Sequence, residues 1–210
     1  MDLKKFQQKP LLGILRGIAP EELDPLFEAV ISSGLQAIEI TMNTRGAAGL
    51  IQSAVKRYGK SLMIGAGTVL NLKDLKTALT AGATFIVSPV LVPSVVRYCV
   101  RHKIPVFPGA LTPQEVYNAW EAGATMVKVF PLNFFGPSYL REIKGPFREI
   151  ELLACSGVTP ENLPAYFQNG ASAAAIGAGT FRREWIASGK FHLIRRMLRS
   201  YLKALPSKIV

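Results

Sequence analysis

Cysteine and histidine are scarce in this chain, which has two of each among 210 residues. Cys99 and Cys155 are far apart in apolar stretches and lack the spacing of metal ligands, so the sequence predicts reduced thiols rather than a disulfide framework. His102 and His192 fall in helical patterns with no partner residues in view. These absences exclude a disulfide-stapled scaffold and a metal site of recognisable spacing.

Long apolar runs are absent as well. The run at residues 10–18 is too short to span a membrane, contains Arg16, and lacks the small-residue cleavage pattern of a signal peptide. No linker-like or low-complexity segment divides the chain, and 49% of its residues are hydrophobic. The sequence therefore predicts one domain over residues 1–210, cytoplasmic and without a membrane partner.

Acidic residues are few, 14 against 25 lysines and arginines, which gives a formal net charge of +11. This excess fits a protein that binds nucleic acid or an enzyme that handles anionic substrates. The densest basic run, residues 182–208, places its cations around apolar residues at helical spacing, as on the solvated face of a terminal helix. No recognisable RNA- or DNA-binding motif accompanies the charge. We expect no nucleic-acid partner, and keep a non-catalytic barrel that binds anions or nucleic acid as an alternative.

The abundant pattern is an alternation of short apolar strands with helices. Such units form a parallel sheet covered by helices, and eight of them close into a (β/α)8 TIM barrel. A doubly wound open sheet is the alternative. The glycine pairs at 65–67 and 177–179 resemble the start of a dinucleotide fingerprint, but neither continues as GxGxxG. After a short N-terminal helix at 2–9, the eight predicted strands are residues 11–16, 37–42, 62–68, 84–89, 104–109, 125–131, 149–155 and 173–177.

Lys128 is the residue that most needs an explanation, because it is the only charge in the apolar run at 125–131. A lone ammonium in a buried strand is unfavourable unless it has a function or a partner. A desolvated lysine attacks carbonyl groups and forms Schiff bases. The alternative is a lysine on an edge strand whose ammonium reaches water.

Further polar residues follow the predicted strands, where the active site of a barrel lies. Glu39 could be a proton shuttle for Lys128 or a buried carboxylate held by backbone donors, and Thr68 could bind substrate or cap the next helix. Glycine-bearing turns at 156–157 and 177–180 follow the last two strands, the recurrent phosphate site of such barrels. The polar residues at strand ends are Arg16, Glu39, Thr41, Asn43, Thr68, Ser88 and Lys128, and the turns add Ser156, Gly157, Gly177, Gly179 and Thr180.

These residues lie in runs that resemble the class I 2-keto-3-deoxy-6-phosphogluconate (KDPG)/4-hydroxy-2-oxoglutarate (KHG) aldolase family over essentially the whole chain. The resemblance implies a TIM barrel, usually a homotrimer, that needs no metal or cofactor and works in sugar-acid breakdown of the Entner-Doudoroff type. It would cleave a 2-keto-3-deoxy-6-phospho sugar acid reversibly to pyruvate and glyceraldehyde 3-phosphate. The matching runs are ILRG (14–17), IEIT (38–41), IGAGTVL (64–70), FIVSP (85–89), VFPG (106–109), KVFP (128–131) and GPSYL (136–140).

The resemblance assigns roles to individual residues. Lys128 matches the Schiff-base lysine and Glu39 the general acid/base, while Arg16, Thr68 and Pro89 match residues at the pyruvate end of the site. Phe130, within the matching KVFP run, joins the expected substrate-binding residues.

Two departures from the family pattern bear on the substrate. Asn43 stands where gluconate-type members often have arginine, and it resembles the asparagine of 2-keto-3-deoxy-6-phosphogalactonate (KDPGal) aldolases. The family run Pro-Thr-Gly-Gly is here ACSG at residues 154–157, so the threonine is lost and a serine replaces one glycine. If residue 156 needs a positive φ, that serine strains the loop. We expect phosphorylated substrates to be preferred over 4-hydroxy-2-oxoglutarate. A phosphosugar isomerase, which uses acid/base residues without an imine, is a further alternative.

Overall fold

The computed structural model describes residues 1–206; the last cation of the basic run, Lys208, lies outside this range. Two short 3₁₀ turns, Pro20–Glu22 and Leu132–Phe134, complete the regular structure. In chain order the elements are α1 (Leu3–Gln8), β1 (Leu11–Leu15), α2 (Leu23–Ser33), β2 (Ala37–Thr41), α3 (Ala47–Tyr58), β3 (Met63–Gly67), α4 (Leu72–Thr80), β4 (Ile86–Val87), α5 (Pro93–Arg101), β5 (Val106–Phe107), β6 (Gly109–Ala110), α6 (Pro113–Glu121), β7 (Val127–Val129), α7 (Ser138–Lys144), β8 (Leu152–Cys155), α8 (Leu163–Gln168), β9 (Ala173–Ile176), α9 (Arg183–Ala187) and α10 (Phe191–Ala204).

The strands form one parallel sheet in the order β5-β4-β3-β2-β1-β9-β8-β7-β6. The sequence predicted eight strands, and that count is wrong because the fifth one is split at Pro108. β5 pairs with β4 and β6 pairs with β7, so the two ends of the sheet are joined by this single residue. Proline has no N–H for the ladder, but its carbonyl accepts a bond from the Lys128 N–H at 2.9 Å. The TIM barrel is confirmed, and the open sheet is excluded.

The side chains that alternate along each strand belong to two separate hydrophobic cores. One set, which includes Leu11, Ile38 and Val127, packs against the surrounding helices. The other set, which includes Leu12, Met63 and Leu153, fills the barrel, as the period of two along a strand requires. Aromatic rings belong to this inner core: Phe6 of α1 lies 6.5 Å from Phe107, and Phe107 lies 5.9 Å from Phe85. The lower part of the barrel is therefore solid, which leaves its polar chemistry to the other end.

Local signals explain several helix boundaries. Thr112 caps α6 and Glu115 completes the predicted capping box, with Pro113 in the first turn. The predicted terminal helix is instead two helices, α9 and α10, because the chain turns at Gly189, where φ is +66°. Buried Ile194, Leu198 and Tyr201 lie on one side of α10, as its apolar spacing predicts. Within residues 1–206, no helix combines the length and apolar character needed to cross a membrane.

Candidate active site

A cavity of about 980 Å³ opens at the carboxyl ends of the strands. It collects side chains from loops that follow β1, β3, β4, β7, β8 and β9, which are far apart in the sequence. Its volume is ample for a small phosphorylated sugar acid. The predicted site residues that line it are Arg16, Thr68, Pro89, Lys128, Phe130, Ser156, Gly157, Gly177, Gly179 and Thr180.

Lys128 lies in the middle of β7 and is only 7% exposed. Since β7 pairs with β6 on one side and with β8 on the other, the edge-strand alternative is wrong. The two neighbours of Lys128 in the strand, Val127 and Val129, belong to the outer core, so the lysine is directed into the barrel. Its Nζ lies 5.2 Å from the centre of the Phe130 ring. This geometry presents one amine to the cavity from a rigid strand.

Glu39 lies in β2 and is 1% exposed. Burial raises the pKa of its carboxyl group, while the nearby positive charges of Lys128 and Arg16 lower it in part. One oxygen, Oε2, has no hydrogen-bond partner among the described residues, so backbone donors do not satisfy the whole group. Glu39 does not line the cavity itself. The carboxyl group is thus buried with one oxygen lacking a hydrogen bond, and it lies close to two cations, Lys128 and Arg16, that do line the cavity.

Cys155, which sequence reasoning treated only as a reduced thiol, belongs to this site. It is the last residue of β8, lines the cavity and is unpaired with the other cysteine. Burial raises the pKa of the thiol, and the adjacent Lys128 ammonium lowers it in part. Its position at a strand end, in the same ACSG run as Ser156, was the signal that could have identified it.

Besides Glu39, two predicted substrate-binding residues, Thr41 and Asn43, lie outside the cavity lining. Thr41 is buried, and its hydroxyl shares a hydrogen bond of 3.1 Å with the hydroxyl of Thr44, which also accepts a bond from the Gly17 N–H. Thr41 therefore supports the loop that carries Arg16. Asn43 is exposed on the loop after β2. Direct substrate binding by these two residues stays a prediction.

Two other strand-end residues have structural contacts. Ser88 is buried, and its hydroxyl donates to the carbonyl of Val69 at 2.7 Å, which ties the β3 and β4 loops together. Thr68 lines the cavity with a φ of +56°. The Thr68 side chain does not cap α4, because Asn71 provides that cap. A β-branched residue with positive φ is uncommon and marks a constrained position.

The turns after β8 and β9 also line the cavity. Ser156 has a φ of +82°, the left-handed region that favours glycine, and its hydroxyl donates to Asn133 Oδ1 at 2.8 Å. The Thr180 N–H donates to the Gly177 carbonyl at 2.8 Å, so its amide is already used. The Thr180 hydroxyl, by contrast, is buried close to the Tyr201 hydroxyl without forming a hydrogen bond of good geometry to it. Hydrogen-bond donors for a phosphate are therefore available in these turns, but the Thr180 N–H, which the sequence suggested as one of them, is already bonded to Gly177.

The family model for "KDPG and KHG aldolase" matches residues 3–197. The chain belongs to this family. It is an aldolase, a carbon–carbon lyase, and not the phosphosugar isomerase of the alternative hypothesis. No group of three or more histidine, cysteine and acidic side chains arranged to hold a metal occurs within residues 1–206.

Individual family members are similar over most of the chain. The 2-dehydro-3-deoxy-6-phosphogalactonate aldolase of Escherichia coli (strain K12) is 38% identical, over 82% of this chain and 85% of that protein. The 2-dehydro-3-deoxy-phosphogluconate aldolase of Treponema pallidum (strain Nichols) is 30% identical, over 87% of each chain. A solved structure described as native KDPGal is 35% identical, covers 93% of each chain and superposes with a TM-score of 0.87.

Proposed function

We propose that this aldolase works through a Schiff base on Lys128 and cleaves a 2-keto-3-deoxy-6-phospho sugar acid to pyruvate and glyceraldehyde 3-phosphate. The observation that carries the proposal is the single buried lysine of a fully paired strand, with its amine at the cavity and the Glu39 carboxyl group nearby. No metal or organic cofactor takes part in this chemistry.

The reaction begins when the free amine of Lys128 attacks the C2 carbonyl carbon of the substrate, and loss of water gives an iminium. Glu39, directly or through one water, accepts the proton of the C4 hydroxyl as the C3–C4 bond breaks. The bond electrons move into the iminium to form an enamine, and the aldehyde leaves. Return of the proton to C3 regenerates the iminium, and water then releases pyruvate and the amine.

The cavity lining suits a substrate with two anionic groups. Arg16, which like Lys128 lies near Glu39, would pair with the substrate carboxylate. The turns at 156–157 and 177–180 would hold the phosphate with their N–H and hydroxyl donors. Of the two sugar-acid epimers, we favour the galactonate form, because Asn43 matches the galactonate-type pattern and a relative 38% identical to this chain carries that name.

We further propose that the single-domain chain works as a homotrimer in the cytoplasm. The mouth of the barrel exposes apolar side chains that a second copy would cover: Val90 is 52% exposed, Phe134 is 78% exposed and Phe135 is 48% exposed. Light scattering of the purified protein tests this assembly, and the variant Phe134→Glu is expected to weaken it. A monomeric wild-type protein would contradict the proposal.

The substrate is tested by measuring kcat/KM for KDPGal, KDPG and 4-hydroxy-2-oxoglutarate under one set of conditions. We expect both phosphorylated acids to exceed the unphosphorylated one, and KDPGal to exceed KDPG. The Asn43→Arg variant is expected to shift the ratio towards KDPG. Equal or reversed values for the phosphorylated and unphosphorylated acids would contradict the assignment.

A further inference from the structure

We propose that Arg182 determines the preference for phosphorylated substrates by binding the substrate phosphate with its guanidinium group. The inference rests on the proposed function and names a side chain that the family pattern did not single out. Arg182 follows the turn at 177–180 and lines the same cavity as Lys128. One cavity is therefore lined by both the Lys128 amine and the Arg182 guanidinium.

Two contacts hold the Arg182 side chain in place. Its Nε–H donates to the carbonyl oxygen of Gly179 at 3.2 Å. The carbon at the centre of the guanidinium lies 4.7 Å from the centre of the Trp185 ring, a distance at which the ring attracts the cation. Such fixing lowers the entropy lost when a planar guanidinium binds a phosphate. Within residues 1–206, Arg182 forms no ion pair with a carboxylate.

The adjacent Arg183 is different, although it also lines the cavity. Its two terminal nitrogens each lie 2.6 Å from an oxygen of Glu22, in a two-pronged ion pair. This hydrogen-bonded pairing with Arg183 lowers the pKa of Glu22, which keeps the carboxylate charged. The charge of Arg183 is thus neutralised by Glu22, and the ion pair links α9 to the Pro20–Glu22 turn. Of these two neighbouring cations, Arg182 is the one with an uncompensated charge at the cavity.

The surroundings of Arg182 fit a tetrahedral oxyanion. The Thr180 hydroxyl, which lines the cavity, is fully buried close to the Tyr201 hydroxyl, but the two do not have hydrogen-bond geometry. A Cβ added to Gly179 would meet nothing within 4 Å, so the space beside this turn is open. Phosphate supplies acceptor oxygens for both the hydroxyl and the guanidinium, and its charge is near −2 at neutral pH.

The experiment compares Arg182→Gln with the matched control Arg183→Gln, which removes the same formal charge one residue away. We expect Arg182→Gln to lower kcat/KM for the phosphorylated substrate by roughly 10-fold, the scale of a hydrogen bond to a charged group at an open site, mainly through KM. Activity on 4-hydroxy-2-oxoglutarate is expected to stay unchanged. Arg183→Gln is expected to leave the ratio of the two substrates as in the wild type.

Two further measurements separate this inference from the proposed function. Calorimetric titration with inorganic phosphate is expected to show weaker binding to Arg182→Gln than to the wild type, whatever reaction the protein catalyses. Trapping of pyruvate on Lys128 by borohydride is expected to be the same in both. Equal losses for the two arginine variants, or equal losses for the two substrates, would overturn the role of Arg182. A wild type that fails to trap pyruvate would instead overturn the imine mechanism.

Discussion

The Glu39 carboxylate occupies the space beside Cα of Gly67, where a side chain on residue 67 would have to lie. A Cβ added to Gly67 would overlap with Oε1 and Cδ of Glu39. Gly67 is the last residue of β3, directly beside β2 in the sheet. The glycine is therefore required to leave room for the Glu39 carboxyl group, rather than to provide a special backbone conformation.

We predict that Gly67→Ala displaces the Glu39 carboxyl group and lowers turnover by roughly 100-fold, the effect of misplacing a reacting group by about 1 Å. The control is Gly49→Ala in α3, where an added Cβ meets nothing within 4 Å. Steady-state kinetics and circular dichroism of both variants check this. A fully active Gly67→Ala enzyme would show that the position of Glu39 is not critical.

Replacing Glu39 by glutamine tests its chemical role more directly. The amide keeps the shape of the side chain but does not exchange protons, so we expect turnover to fall by roughly 100-fold or more. Formation of the pyruvate imine is measured by single-turnover trapping. We expect Glu39→Gln to retain imine formation better than turnover. Near-normal turnover in Glu39→Gln would remove this residue from the proton-transfer steps.

The raised pKa of Glu39 also predicts how stability depends on pH. Burial raises it above the ordinary value of 4.5, so the folded state holds this proton at pH values where the unfolded state has released it. The stabilisation from the protonated group is complete below about 4.5 and is lost as pH rises through the folded-state pKa. Glu39→Gln does not titrate, so its stability relative to the wild type is expected to increase over that window.

Urea unfolding of the wild type and Glu39→Gln across a series of pH values measures this difference. Because the other charges are the same in both proteins, their contributions cancel when the two unfolding free energies are subtracted. A difference that stays constant from acid to neutral pH would show that Glu39 titrates in the folded protein as it does in the unfolded chain.

Two variants of Ser156 separate the effect of backbone strain on stability from that of the side-chain hydrogen bond. The φ of Ser156, +82°, disfavours any residue with a Cβ, by about 1–2 kcal/mol, while its hydroxyl bonds to Asn133. Ser156→Ala loses the hydrogen bond and keeps the strain, whereas Ser156→Gly loses both. The greater freedom of glycine in the unfolded chain offsets part of the strain relief. We therefore expect Ser156→Gly to be more stable than Ser156→Ala by about 0.5–1 kcal/mol. Thermal unfolding of the pair checks this, and a more stable alanine variant would contradict it.

The residues that sequence reasoning singled out most sharply are those whose chemistry conflicts with their position. Lys128 and Glu39 are charged residues in apolar strands, and no simple packing role explains them. Cys155 and Arg182 gave no such conflict, because a thiol suits a buried strand and an arginine suits a basic helix. Their place at the cavity follows from the closure of the barrel, which brings the loops after β7, β8 and β9 together.

The fold, like the site, was predictable in part from the sequence. The errors in that prediction have physical causes. The βα alternation specified the barrel, but the split at Pro108 depends on which neighbouring strand each half joins, information that the run VFPG does not contain. The break between α9 and α10 occurs at Gly189, which the continuous basic and apolar pattern concealed. Substrate binding by Thr41 stays a prediction, whereas its hydrogen bond with Thr44, which supports the loop of Arg16, depends on the fold of that loop and could not be read from the sequence.

The most direct measurement of the central claim is reduction with borohydride in the presence of pyruvate, followed by peptide mapping. Pyruvate and the Lys128 amine form an imine that the hydride converts to a stable secondary amine. We expect loss of activity and one three-carbon adduct, located on Lys128 and absent from a folded Lys128→Met variant. An adduct on a different residue, or a fully active protein without an adduct, would contradict the Schiff-base mechanism.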